Sequence, residues 1–100
     1  MNEVEFHNWL GEKGVKKKIQ HDYVYRLKRL ERELNHCDID EEYRSDKCSH
    51  LFKLLEKNGK NPEMEKYPNT KLPIGKYYMS TYRLALKQYI QFIEETNLIP

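Results

Sequence analysis

The sequence predicts an all-α fold of four helices that pack as one domain over residues 1–100. Apolar residues recur at intervals of three and four in four separate stretches, which is the period of an amphipathic helix. No run of alternating β-branched residues indicates a strand. A chain of 100 residues with 38% hydrophobic residues has the size of one ordinary domain and can bury one small core.

The first two helices are predicted over residues 4–13 and 15–34. Phe6, Trp9 and Leu10 share one face of the first helix, and glycines follow them closely. The apolar stripe predicted for the second helix consists of Val15, Ile19, Tyr23, Leu27, Leu30 and Leu34. The opposite face of that helix carries Lys17, Arg26, Lys28, Arg29 and Arg32.

A third helix is predicted over residues 46–57, between two loops. Residues 35–44 are acidic and have no helical period, and residues 58–76 hold three prolines and two glycines, so both segments are predicted to be loops. Ser45 or Asp46 is the expected N-cap of the helix between them. Its expected buried stripe consists of Cys48, Leu51, Phe52 and Leu55.

The fourth helix is predicted over residues 80–96, with Ser80 or Thr81 as its N-cap. Its core face is expected to consist of Tyr82, Ala85, Leu86, Tyr89, Ile90 and Ile93, flanked by Leu84 and Phe92. Residues 97–100 lack a helical pattern and are interpreted as the start of a linker, which suggests a fragment of a longer protein.

Positive charge is concentrated in two segments, although the net charge of the whole chain is only +2. Residues 13–36 and residues 53–87 each carry eight Lys or Arg against three Asp or Glu, whereas residues 38–46 hold five acids and one Arg. If folding gathers the two basic segments on one exposed surface, that surface suits a polyanion, and the phosphate backbone of double-stranded DNA is the commonest one.

Residues that combine positive charge, hydroxyl groups and helix starts are the candidate DNA contacts, mainly to phosphates. These candidates are Lys16, Lys17, Lys18, Arg26, Arg29, Lys76, Ser80, Thr81, Arg83 and Lys87. Tyr77 and Tyr78 are expected to fill the gap between the loop and the core, and stacking on nucleic acid is the alternative role for them.

Motifs for catalysis, cofactors and metals are missing from the sequence, so we predict a non-enzymatic module without cofactor or metal. There is no nucleophile elbow, no glycine-rich phosphate loop and no zinc-protease motif. The acidic segment lacks the glycine of a calcium loop. Zinc ligation remains an alternative because four potential ligands lie within fifteen residues, namely His36, Cys37, Cys48 and His50.

No apolar run approaches the length of a membrane span, and two cysteines do not make a disulfide framework. We therefore expect a cytoplasmic protein without membrane association, and an isolated domain that is monomeric.

The order of the motifs is similar to that of a known family. The first motif is Phe6-x-x-Trp9-Leu10 followed by Gly14, the second is the Tyr-bearing helix from Tyr23 to Leu34, and a shorter helix comes third. The last motif is Ser80-x-x-Arg83-x-Ala85-Leu86-x-x-Tyr89-Ile90-x-Phe92. This pattern resembles the N-terminal core-binding domain of tyrosine recombinases and phage integrases, a four-helix SAM-like orthogonal bundle.

The resemblance implies a domain that clamps one side of duplex DNA while a separate C-terminal domain of the parent chain performs strand exchange. It implies that the second and fourth helices face the DNA, with Ser80 and Arg83 among the contacts. The catalytic His-x-x-Arg box of that family does not occur in these residues.

Two other functions stay open at the level of sequence. The first is a helical protein-interaction or DNA-recognition domain attached to a restriction endonuclease or another defence protein, with an apolar groove around Trp9 and the chain end. The second is a small metal-binding regulator.

Overall fold

The computed structural model describes residues 1–99, and this part of the chain is helical and contains no strand. Its five α-helices are α1 (Glu3–Glu12), α2 (Lys17–Glu33), α3 (Ile39–Asp46), α4 (Ser49–Leu55) and α5 (Ser80–Thr96). Short 3-10 turns between α4 and α5 cover Glu56–Gly59, Met64–Lys66 and Tyr77–Met79. The prediction of an all-α fold is confirmed, whereas the predicted number of four helices is wrong.

The additional helix is α3, which occupies most of the segment predicted to be an acidic loop. The carboxylate of Asp38 caps this helix by accepting a hydrogen bond of 3.1 Å from the backbone N–H of Asp40. Acidic residues in the first turn of α3 are stabilised by the positive end of the helix dipole. Ile39 is fully buried, but a helix with so few buried apolar residues shows no hydrophobic period in the sequence.

A tight corner separates α3 from α4. Lys47 and Cys48 both adopt the left-handed conformation, with φ of 57° and 66°, and their backbone N–H groups donate to carbonyls in the last turn of α3. The helix predicted over residues 46–57 is therefore shorter than expected. The prediction that Ser45 or Asp46 is the N-cap is wrong, because both end α3 and Cys48 is the N-cap of α4. The Asp46 carboxylate nevertheless accepts a hydrogen bond of 3.1 Å from the backbone N–H of His50.

Aromatic side chains of α1 and α5 form the centre of the core. The ring of Phe6 lies 5.1 Å from that of Tyr89 and 5.5 Å from that of Phe92, measured between centroids. The core faces predicted for α1 and α5 are confirmed with one exception, since Ile90 is only half-buried. Phe92, which was expected at the edge of the stripe, is buried.

The buried face of α2 differs from the predicted stripe at its N-terminal end. Val24, Leu27 and Leu30 are buried, but Ile19 is 41% exposed. Each step of four residues advances about 40° around a helix of 3.6 residues per turn. Consecutive steps of four therefore rotate Ile19 out of the core that Leu27 enters, and the prediction for Ile19 is wrong.

Residues 58–76 contain no α-helix, as predicted, but they pack against the rest of the fold. Met64 and Leu72 are buried in the core. The side-chain amide of Asn61 donates to the carbonyl oxygens of Leu54 and Glu56 at 3.0 and 2.9 Å. These contacts hold the segment against the end of α4.

The segment after α5 was interpreted as a linker, and the structure differs at Ile99. Only 6% of Ile99 is exposed, and it belongs to the same apolar core as the helices. The chain therefore turns back onto the fold after Asn97, whose φ of 52° is left-handed. Pro100, the last residue of the expected linker, lies outside the described residues.

Polar groups from both ends of the fold meet in a compact cluster. The Met1 ammonium lies 3.0 Å from Asp38 Oδ1 and 3.4 Å from Asp40 Oδ2. The Tyr89 hydroxyl donates to Asp40 Oδ1 at 2.6 Å and accepts from the backbone N–H of Asn2 at 2.7 Å. We call this group, together with Glu31 at 3.6 Å from the ammonium, the Met1–Asp40 network. It joins α2, α3 and α5 to the start of the chain.

Candidate nucleic-acid interface

Two contacts determine the relative direction of α2 and α5. Near the end of α2, Arg29 Nη1 donates to the hydroxyl of Tyr82, in the first turn of α5, at 2.9 Å. Lys13, just before α2, forms an ion pair of 2.7 Å with Glu95, near the end of α5. The two helices therefore run antiparallel.

This direction places the two basic segments at opposite ends of the α2–α5 pair. Lys17 is twelve residues before Arg29 on the same helix, which corresponds to roughly 18 Å at about 1.5 Å per residue. The candidate residues around the start of α5 lie at the Arg29 end, because Tyr82 contacts Arg29 there. The candidate cations are thus spread along the helix pair and do not form one compact cluster.

At one end, Lys16, Lys17 and Lys18 are exposed. The first turn of α2 contains no acidic residue, although carboxylates are the side chains that the positive end of a helix dipole stabilises. Three ammonium groups at this position repel one another and the dipole, and an approaching anion relieves that repulsion.

In the other half of α2, Arg26 and Arg29 are half-buried. Arg29 stabilises the fold. Besides its hydrogen bond to Tyr82, its Nη2 donates to the carbonyl oxygen of Lys71 at 2.7 Å. This guanidinium therefore connects α2, α5 and the segment before α5. Arg26 lies one turn earlier on α2, which in this antiparallel pair is the level of the α5 turn that follows Tyr82 and Arg83.

The hydroxyl groups of Ser80 and Thr81 have a different role from the one predicted. Ser80 Oγ donates to the carbonyl of Tyr77 at 3.1 Å, and Thr81 Oγ1 donates to that of Tyr78 at 2.6 Å. The prediction that either residue caps α5 is wrong, because a 3-10 turn runs directly into the helix and the hydroxyls bond to its carbonyls. In this arrangement their protons are not available to a phosphate, which needs hydrogen-bond donors.

Tyr77 also differs from the expectation, since it does not fill the gap between the loop and the core. It is 85% exposed and Tyr78 is 45% exposed, whereas Met79 between these tyrosines and α5 is fully buried. The tyrosine rings meet edge to face, with centroids 5.9 Å apart.

The remaining candidate cations share one property that the sequence did not reveal. None of them forms an ion pair within residues 1–99, whereas Lys13, Lys28, Arg32, Arg44 and Lys66 do. We call this set the seven unpaired cations: Lys16, Lys17, Lys18, Arg26, Lys76, Arg83 and Lys87. A polyanion can bind them without breaking an ion pair of the fold. Six cations outside this set also form none in the described residues: Arg29, Lys47, Lys53, Lys57, Lys60 and Lys71.

No protein-family model, curated protein or solved structure matches this chain. The resemblance to the integrase core-binding domain therefore rests on the residues of this sequence.

The potential metal ligands do not assemble in the described part of the chain. Residues 1–99 contain no group of three or more His, Cys, Asp or Glu side chains placed to hold a metal ion. Burial raises the pKa of Cys37 and of Cys48 to about 12, and neighbouring carboxylates add to the effect. A zinc site requires the thiolate form, which this environment disfavours.

Two clefts are lined by none of the seven unpaired cations. The larger has a volume of about 540 Å³ and lies within the segment before α5, between Met64, Tyr67 and Ile74. The smaller has about 240 Å³ and is lined by Trp9 and Leu98, among others. Within residues 1–99, no helix combines the length and apolar character needed to cross a membrane.

Proposed function

We propose that this chain is a non-catalytic module that binds double-stranded DNA through phosphate contacts from α2 and the first half of α5. The observation that carries the proposal is that seven cations on or beside α2 and the first half of α5 have no ion-pair partner within residues 1–99. Unpaired cations exchange counterions for phosphates and so provide affinity without sequence readout.

The spacing of the cations suits a linear polyanion better than a small anion. Lys16, Lys17 and Lys18 lie roughly 18 Å along α2 from the turn that contains Arg29. That distance corresponds to about five base pairs at ~3.4 Å of rise along one strand. Lys18 lies only about 20° around α2 from Arg29, so a duplex along this face can contact Lys18 and the start of α5 together, whereas Lys17 lies about 180° from Arg26.

The resemblance to the core-binding domain of integrases supports the same proposal. In this interpretation the module is monomeric and cytoplasmic, and it belongs to a site-specific recombinase whose catalytic domain lies elsewhere in the parent chain. Five helices and a packed 58–76 segment depart from the four-helix SAM-like orthogonal bundle of that family. The unpaired cations therefore support the proposal more strongly than the family resemblance does.

Fluorescence anisotropy with a labelled 20-base-pair duplex, titrated at several salt concentrations, tests the proposal. We expect Arg83→Glu/Lys87→Glu to weaken binding on the order of tenfold or more at low salt. The slope of log K against log salt should fall by about 1.8, because each lost phosphate contact removes ~0.9. Lys16→Glu/Lys17→Glu/Lys18→Glu should weaken binding similarly from the other end of the surface.

Arg44→Glu/Lys47→Glu is the matched control for the double variant. It changes the net charge by the same amount but alters the α3 side of the fold, where Arg44 is paired with Glu41. We expect it to bind DNA nearly as well as the unaltered chain. The proposal is wrong if the folded, unaltered chain does not bind the duplex at low salt, or if the two double variants bind equally.

One observation favours the alternative of a protein-interaction domain attached to a restriction or defence protein. The 240 Å³ cleft is lined by Trp9, Phe92 and Leu98, and Glu5 and Glu12 lie at its edge. A partner that docks there should bind with weak salt dependence and should not be affected by Arg83→Glu/Lys87→Glu. Leu98→Asp should abolish that interaction and leave DNA affinity unchanged.

A further inference from the structure

Three large apolar side chains are exposed around the start of α5. Tyr77 and Tyr78 form the edge-to-face pair described above, and Leu84, which is 47% exposed, follows Tyr77 after two helical turns. Single exposed apolar residues are common on protein surfaces, but a group of them at one place is typical of an interaction site.

The backbone that carries the two rings is held firmly. Met79 is fully buried, and its backbone N–H donates to the carbonyl of Lys76 at 3.0 Å. The hydroxyls of Ser80 and Thr81 donate to the carbonyls of Tyr77 and Tyr78. Only the side-chain torsions of the two tyrosines remain to be ordered on binding. The conformational entropy cost of binding a flat aromatic ligand is therefore small.

Positive charge flanks this aromatic pair along the chain. Lys76 directly precedes it, Arg83 and Lys87 follow on α5, and none of the three has an ion-pair partner in the described chain. The first turn of α5 contains no acidic residue. The chemistry that matches both features is a polyanion that also presents flat aromatic faces, which describes unpaired nucleotides.

We propose that Tyr77 and Tyr78 form a stacking platform for unpaired bases beside the duplex-binding surface. The preferred DNA is then a duplex joined to a single-stranded segment, in which the cations contact phosphates and the rings stack on bases. Base pairs inside a duplex hide their faces from such a platform, so the single-stranded part is required. This inference rests on the proposed DNA binding and narrows its substrate class.

The test compares three labelled DNAs by fluorescence anisotropy: a blunt 20-base-pair duplex and the same duplex with an eight-thymidine overhang at either the 3′ or the 5′ end. We expect the unaltered chain to bind one tailed duplex at least about fivefold more tightly than the blunt one, since stacking contributes ~1–3 kcal/mol per base. Tyr77→Ala/Tyr78→Ala should abolish this preference while the affinity for blunt duplex and its salt slope stay unchanged.

Tyr77→Phe/Tyr78→Phe should retain the preference, because stacking needs the ring and not the hydroxyl. Tyr25→Ala removes an exposed tyrosine of α2 and is the matched control, with the preference retained. Melting temperatures verify that each variant is folded.

Equal binding of blunt and tailed duplexes by the unaltered chain would overturn the platform and leave duplex binding intact. An equal loss of affinity for all three DNAs in Tyr77→Ala/Tyr78→Ala would also overturn it. If the chain binds a free thymidine 20-mer but no blunt duplex, the proposal of duplex binding is wrong and the proposal of a stacking platform is retained. Binding to none of these DNAs contradicts both proposals.

Discussion

The acidic segment around α3 and the basic surface at the start of α5 use charge in opposite ways. In the Met1–Asp40 network, the carboxylates of Asp38 and Asp40 lie within 3.4 Å of the Met1 ammonium, and Tyr89 and Asn2 donate further hydrogen bonds. At the start of α5, the cations have no carboxylate partner within residues 1–99. The carboxylates of the acidic segment are therefore satisfied inside the fold, whereas the cations at the start of α5 are free to meet a partner from outside it.

Asp40→Ala tests the structural role of the acidic segment, and it should have the largest effect on the free energy of unfolding. It removes the acceptor of the buried Tyr89 hydroxyl and one partner of the Met1 ammonium, which leaves polar groups unpaired. We expect a loss of about 3–5 kcal/mol in the free energy of unfolding, measured by urea denaturation. Glu41→Ala, on the exposed side of α3, is the control and should change stability by less than about 1 kcal/mol.

Arg29→Ala should have the next largest effect, because this cation belongs to the fold although it lies in the basic region. The variant loses the hydrogen bonds to Tyr82 and to the carbonyl of Lys71, and we expect a loss of about 1–3 kcal/mol. Hydrogen exchange should become faster around Lys71. Tyr82→Phe removes only one of the two bonds and should cost about half as much; an unchanged unfolding curve for Arg29→Ala would contradict this role.

The stability of the Met1–Asp40 network should depend on pH at both ends of the range. Burial alone lowers the pKa of the Met1 ammonium, but the hydrogen bond to Asp38 and the charges of Glu31 and Asp40 together raise it above its ordinary value of 8.0. The ammonium therefore stabilises the fold fully below pH 8.0, and this contribution is lost as the pH rises through the higher folded value.

At the acidic end, burial alone raises the pKa of Asp38, but the hydrogen bonds from Met1 and Asp40 together lower it below 3.8. Its contribution is present above pH 3.8 and is lost as the pH falls through the lower folded value. Melting temperatures from pH 3 to 10 should thus decline at both ends. Asp38→Asn should flatten both limbs, and a variant that keeps the same alkaline decline would show that Asp38 does not hold the ammonium.

Charge reversal on the basic surface should have the smallest effect on stability. Arg83→Glu/Lys87→Glu breaks no ion pair seen in residues 1–99, so we expect the free energy of unfolding to change by less than about 0.5 kcal/mol while DNA affinity falls. Urea denaturation beside the DNA titration measures both quantities. A large loss of stability would place these cations with Arg29 among the structural ones.

Much of the fold follows from local periodicity. The predictions from sequence are wrong mainly where contacts between residues far apart in the chain determine the structure. The buried faces of α1 and α5 were predictable because apolar side chains must share one side of a helix. Helix α3 was not, since it is short and Asp38 and Asp40 bind the start of the chain. No local pattern reveals a partner 37 residues away.

The candidate site was predictable in composition but not in geometry. The sequence identifies which residues are cationic, but Arg29 and Arg26 are alike until Tyr82 and the carbonyl of Lys71 are placed beside one of them. A hydroxyl can accept or donate, so the sequence cannot distinguish a cap at Ser80 from a bond to the preceding turn. Tyr77 was assigned to the interior because tyrosines commonly fill such gaps.

The contact between Asn2 and Tyr89 has a consequence for biosynthesis. Because 87 positions separate these residues, a growing polypeptide on the ribosome cannot complete its core until α5 has left the exit tunnel. Until then, Phe6 lacks the rings of Tyr89 and Phe92 that pack against it and stays exposed to chaperones. We expect nascent chains stalled before residue 80 to be digested rapidly by proteases, and released chains that include α5 to resist.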